Sequence, residues 1–135
     1  MKKFILVILT GVCLFSCGKG DPVPSVPVNF QSPINPKYSA LNSPGGVVTI
    51  SGYGVSGLIL YHSQTRGIVA FDRCSSYQPE KKCAVTIDAS GFTVTDPCSG
   101  SKFSLEDGTP VKAPATKALR SYQVITTDFT IQVVN

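Results

Sequence analysis

"DPCSGSKFSLEDG" occupies Asp96–Gly108, and its reading decides the fold. Cys98 is followed at once by Ser-Gly-Ser, small residues that suit a tight reversal of the chain. Phe103 and Leu105 then alternate with Ser104, the period of a strand with one buried face. Glu106-Asp107-Gly108 ends the stretch as a polar turn. The stretch holds a cysteine but no histidine, because His62 is the only histidine of the chain.

Strand patterns continue on both sides. Val47–Ser51, Leu58–Ser63, Ile68–Asp72, Ala84–Asp88, Phe92–Thr95, Lys102–Leu105, Ser121–Thr127 and Phe129–Val134 are rich in Val, Ile, Thr, Tyr and Phe. Turn residues separate them at short intervals. No helical period runs for ten residues or more. An all-β sandwich or barrel of short antiparallel strands follows. Ile34–Gly46 carries two prolines, which cannot donate to a sheet ladder, so it reads as a loop with a short helical turn near Tyr38–Leu41.

The N-terminus reads as a targeting segment. Lys2 and Lys3 precede a short apolar run, and Leu14-Phe15-Ser16-Cys17 resembles the lipobox of bacterial lipoproteins. That resemblance implies a signal peptide over residues 1–16 and a lipidated Cys17. It also implies a membrane-anchored place in the cell envelope, on the outer or periplasmic side. Residues 17–27, rich in Gly, Pro and Ser, read as a flexible tether. Residues 28–135 are the size of one domain.

Charge gives little. Without Lys2 and Lys3, ten of the 12 basic side chains face eight acidic ones, and they are scattered. A nucleic-acid partner is not expected. Gly52–Gly57 matches G-x-G-x-x-G, but a strand follows where a dinucleotide fingerprint needs a helix. His62 has no evident catalytic partner, and no G-x-S-x-G elbow is present, so no catalytic residue is expected.

From about Val47 to Asn135 the chain resembles the Rieske iron–sulfur family. Members carry Cys-Pro-Cys-His-Gly-Ser-x-Phe, a short strand, an acidic turn with Gly, a Gly-Pro-Ala loop and Leu-x-x-Tyr. This chain has Asp96-Pro97-Cys98-Ser99-Gly100-Ser101-Lys102-Phe103, then Glu106-Asp107-Gly108, Ala113-Pro114-Ala115 and Leu119-Arg120-Ser121-Tyr122. The resemblance implies a Rieske-like β domain with a small cluster-binding-type subdomain. A Rieske centre uses two cysteines and two histidines. By the resemblance Cys74, Ser76, Asp96 and Ser99 stand at the ligand positions, with extra residues before Cys83 leaving the register around Cys74–Tyr77 open. Cys83 and Cys98 match the pair that is bridged in many members. Pairings of Cys74 with either remain alternatives, since sequence does not fix connectivity.

With both histidines replaced, no cofactor is expected. A zinc site from Cys74, Cys83, Cys98 and Asp96 lacks compact Cys-x-x-Cys spacing, so no metal is expected either. The reading is an exported, lipid-anchored Rieske-like domain without its cluster, serving a binding or structural role with an unknown protein partner. The alternatives are an electron carrier with an unusually ligated two-iron two-sulfur cluster, and a thiol–disulfide module using Cys74.

Overall fold

A computed structural model describes residues 23–135. The signal peptide over 1–16, Cys17 and the tether as far as residue 22 lie outside the described residues. Ten strands form two antiparallel sheets. The larger contains β1 (Asn29–Pro33), β2 (Val47–Ile50), β3 (Leu58–Ser63), β4 (Gly67–Asp72), β9 (Ser121–Thr126) and β10 (Thr130–Val134), in the order β1-β10-β9-β4-β3-β2. The smaller contains β5 (Thr86–Ile87), β6 (Thr93–Thr95), β7 (Lys102–Ser104) and β8 (Pro110–Lys112), in chain order. It is inserted between β4 and β9.

The large sheet curls until its edges nearly meet. Phe30 on β1 lies 5.2 Å, centroid to centroid, from Tyr53 just after β2. Ser39–Asn42 forms a 3-10 turn over the remaining gap. His62 Nδ1 is 2.7 Å from the Leu41 carbonyl, which fixes that turn to β3. The lone histidine is therefore a clamp on a loop.

The apolar run Leu58–Tyr61 is explained by β3 being buried on both faces. Leu58 and Leu60 enter the barrel core with Ile50, Ala70, Ile131 and Val133. Ile59 and Tyr61 point the other way, into a second core with Phe71, Val94, Phe103 and Leu105. This second core joins the small sheet to the barrel. Phe103 is fully buried there, and burial of such a side chain stabilises by roughly 1.5–3 kcal/mol.

Two strands differ from the sequence expectation. β1 and β8 have Pro33 and Pro110 within them and no strong alternation, yet β1 pairs with β10 over its whole length and β8 pairs with β7. The segment expected as tether is also partly built in. Val23 is fully buried, and its carbonyl accepts from Arg120 Nε at 2.8 Å.

Candidate functional site

Three loops meet at one end of the small sheet. The first runs from Arg73 to Ala84, after β4. The second is the reversal Asp96–Ser101, between β6 and β7. The third is the stretch Ala113–Leu119, before β9. The second closes with Asp96 N–H to the Ser101 carbonyl and Gly100 N–H to the Asp96 carbonyl, both 2.8 Å. Gly100 takes φ of +78°, which a glycine adopts without a steric penalty.

Asp96 is the hub. It has no exposed surface. One carboxylate oxygen accepts from the Cys98 N–H at 2.8 Å. The other accepts from the Ser75 hydroxyl at 2.7 Å and the Ser99 hydroxyl at 2.6 Å. A hydroxyl has one proton, so Ser99 must accept in its 2.8 Å contact with Ser101 Oγ. Ser101 Oγ in turn accepts from the Ala115 N–H at 3.0 Å. The result is a directed chain from Ala115 through Ser101 and Ser99 to Asp96, linking the third loop to the second. Burial pushes the Asp96 carboxyl up, but the bonds from Ser99, Ser75 and the Cys98 N–H outweigh it and hold it below the ordinary value.

Ser76, buried, donates to the Lys117 carbonyl at 2.5 Å and ties the first loop to the third. Cys74 is fully buried, its sulfur 3.5 Å from the Pro79 carbonyl. Burial raises its thiol pKa. A redox relay needs an accessible thiolate, and this environment disfavours one. Cys83 and Cys98 are joined in a disulfide with Cα atoms 6.3 Å apart, bracing the first loop against the second.

Ser76, Asp96 and Ser99 are thus all tied into hydrogen bonds across this end, with Cys74 buried beside them. Ser75 and Ser101 carry as much of the network as Ser99 does, and the sequence reading had not marked them. The same holds for a second hub, Asp72, at the last position of β4 and fully buried. Its carboxylate accepts from the N–H groups of Val55 (2.7 Å), Ser56 (3.1 Å) and Cys74 (2.8 Å) and from Tyr122 Oη (2.7 Å). Gly54 sits against it, where a Cβ would fall 2.5 Å from Asp72 Oδ2. Gly54, the middle glycine of Gly52–Gly57, therefore serves this close approach.

No protein-family model matches the chain, and none of the curated proteins does. Solved structures do match. The plasma-membrane Rieske protein PetC3 of the cyanobacterium Synechocystis PCC 6803 superposes with a TM-score of 0.56 at 19% identity, over 82% of this chain and 100% of that one. The ferredoxin of carbazole 1,9a-dioxygenase from Nocardioides aromaticivorans IC177 gives 0.51 at 17% identity, over 82% and 98%. The fold is Rieske-like.

That likeness corrects the expectation of no cofactor. Rieske proteins hold a two-iron two-sulfur cluster in this fold, so a cofactor-free domain is not what the structural neighbours lead one to expect. Whether these residues fit such a group is a separate question of donor chemistry. Rieske ligation needs two thiolates and two imidazoles. The positions in this Rieske-like domain offer one buried thiol, two serine hydroxyls and a carboxylate whose two oxygens accept three hydrogen bonds. Among the described residues no buried side-chain nitrogen or oxygen is left without a partner. The residues present do not fit a Cys2His2 cluster. The sulfurs of Cys83 and Cys98 gather with an Asp96 oxygen within 4.8 Å, but disulfide sulfurs are not the thiolates a metal takes.

Proposed function

We propose that this chain is an exported, lipid-anchored Rieske-like domain of the bacterial cell envelope with a binding or structural role. In this reading the positions of Cys74, Ser76, Asp96 and Ser99 no longer ligate iron and instead hold the three loops as a rigid tip. The observation that carries it is the Asp96 carboxylate, filled by Ser75, Ser99 and the Cys98 N–H. Cys17 supplies the anchor, and the partner is a protein met at the envelope. The disulfide suits an oxidising compartment.

The test has two parts. The mass of the mature protein extracted from membranes should show acyl chains on an N-terminal Cys17; a chain cut elsewhere and unlipidated would remove the anchor. Asp96→Ala should lower stability without altering any visible spectrum. Loss of a visible chromophore in that variant would show a ligand where a structural hub is proposed.

The fold likeness supports a second reading, an electron carrier with non-standard ligation. It requires the Asp96 carboxylate to exchange its hydrogen bonds for iron, and it predicts a coloured protein.

A further inference from the structure

The tether enters the domain at a defined place. Pairing of β3 with β2 and β4, and of β9 with β4 and β10, puts Ile50, Leu58, Asp72, Ser121 and Val134 at one pole of the barrel. Val23 is buried at this pole, under Arg120. Hydrogen bonds run on from there. Asp72 N–H donates to the Arg120 carbonyl at 2.8 Å. The Asp72 carboxylate accepts from the Ser56 N–H, and Ser56 Oγ donates to the Lys82 carbonyl at 3.1 Å. Lys81 and Lys82 therefore share the pole with Val23, as does Arg73, which follows Asp72. Lys117 joins through the bond from Ser76 to its carbonyl.

This pole is basic. Lys81, Lys82 and Lys117 are exposed, and none makes an ion pair among the described residues. Arg73 adds to them. Asp72 and Asp96 are buried and hydrogen-bonded, so among the described residues of this pole Glu80, beside Lys81, is the exposed acid. The opposite pole differs. It carries the β9–β10 turn, with Asp128 and the exposed Phe129.

We infer that the basic pole rests on the anionic headgroups of the bilayer, held there by the tether. This rests on the lipid-anchor reading of Cys17. Five residues separate Cys17 from the buried Val23, and a span of that length reaches at most about 20 Å. A domain of this size is roughly 35 Å across, from a radius of gyration of about 13 Å. The leash is shorter than the domain, so the Val23 pole stays near the membrane and the Phe129 pole faces away. Surface attraction between exposed charges fades beyond about 10 Å at moderate salt. Docking of Val23 therefore matters, because it brings the lysines into that range.

The experiment uses the full lipidated chain in phosphatidylcholine vesicles with or without phosphatidylglycerol, acetylated with an amine-reactive reagent and read by mass spectrometry. Lys81, Lys82 and Lys117 should lose reactivity several-fold in the phosphatidylglycerol vesicles and regain it at high salt. Lys37, beside Tyr38 at the seam between β1 and β2, should lose less. Val23→Asp should reduce the protection. Because that variant disturbs a buried position, Lys81→Gln with Lys82→Gln provides a second check on the exposed surface, and it should restore the reactivity of Lys117. Equal reactivity of all four lysines in both vesicles, on a chain whose mass shows the lipid, overturns the inference alone. A chain without lipid on Cys17 overturns the anchor reading, and the inference falls with it.

Discussion

Asp96 and Asp72 are carboxylates without exposed surface, each satisfied by backbone N–H groups and hydroxyls. Removing a buried acceptor leaves its donors unsatisfied, at about 1–3 kcal/mol and more when the lost group is charged. Asp96→Ala should therefore destabilise by about 3 kcal/mol in urea unfolding, and Asp72→Ala by at least as much. The pH dependence has a definite sign. The folded carboxyl of Asp96 is held below its ordinary value, so its contribution is present above the unfolded pKa of about 3.9. It is lost as pH falls further, through the folded value. Asp96→Asn should flatten the stability profile in that acid range, measured as midpoint against pH. An unchanged acid slope would show that Asp96 titrates as in the unfolded chain. The sequence marked Asp96 as a position where a ligand belonged. It did not show Ser75 and Ser101 closing on it, because hydroxyl direction depends on loop geometry that no spacing encodes. Asp72 was legible only as the polar end of a strand.

The acidic turn after β7 is an element with more work than its composition announces. Glu106 accepts from Ser63 Oγ, from Thr65 Oγ1 at 3.2 Å and from the Gln64 N–H at 3.3 Å, while its carbonyl accepts from Arg66. It clasps the β3–β4 turn to the small sheet. Glu106→Gln should speed amide exchange in residues 63–66 while leaving the β9–β10 pairing unchanged; equal exchange in both proteins would show the clasp to be incidental. Gly108, in the same turn, has φ of +78° and lies flat on Phe71, where a Cβ would fall 2.7 Å from Cε1. Gly108→Ala should cost about 1–3 kcal/mol in thermal unfolding through overpacking. The disulfide belongs to this scale too. Cys98→Ala should cost roughly 2–4 kcal/mol, whereas Cys74→Ser should leave the Cys83–Cys98 bridge intact, as a thiol map would show. β10, with its alternation, and β3 and β4, as short apolar runs between turns, were legible from the residues. β1 and β8 were not, since each is made by pairing with a partner strand and not by its own pattern. Ile87, inside the expected strand Ala84–Asp88, is 38% exposed, because β5 is a two-residue edge strand.

At the scale of the molecule, a curled six-stranded sheet carries a small four-stranded sheet, together a Rieske-like fold. The motif Gly100-Ser101-Lys102-Phe103 with the later Tyr122 made that architecture legible, because its turns and core anchors are set by residue type. What the loops do was less legible, since the same frame accommodates a cluster or a hydrogen-bonded knot. The central claim is that the Asp96 knot stands at the ligand positions in place of iron ligation. The most direct test is the visible absorption spectrum, with iron and sulfide analysis, of the full chain produced alongside cluster-assembly machinery and purified without oxygen. The account predicts that the folded chain and its Asp96→Ala variant give the same spectrum and the same iron and sulfide content. A coloured protein holding iron and acid-labile sulfide in equal amounts, with Asp96 required for both, would contradict it and make the domain an electron carrier with unusual ligands.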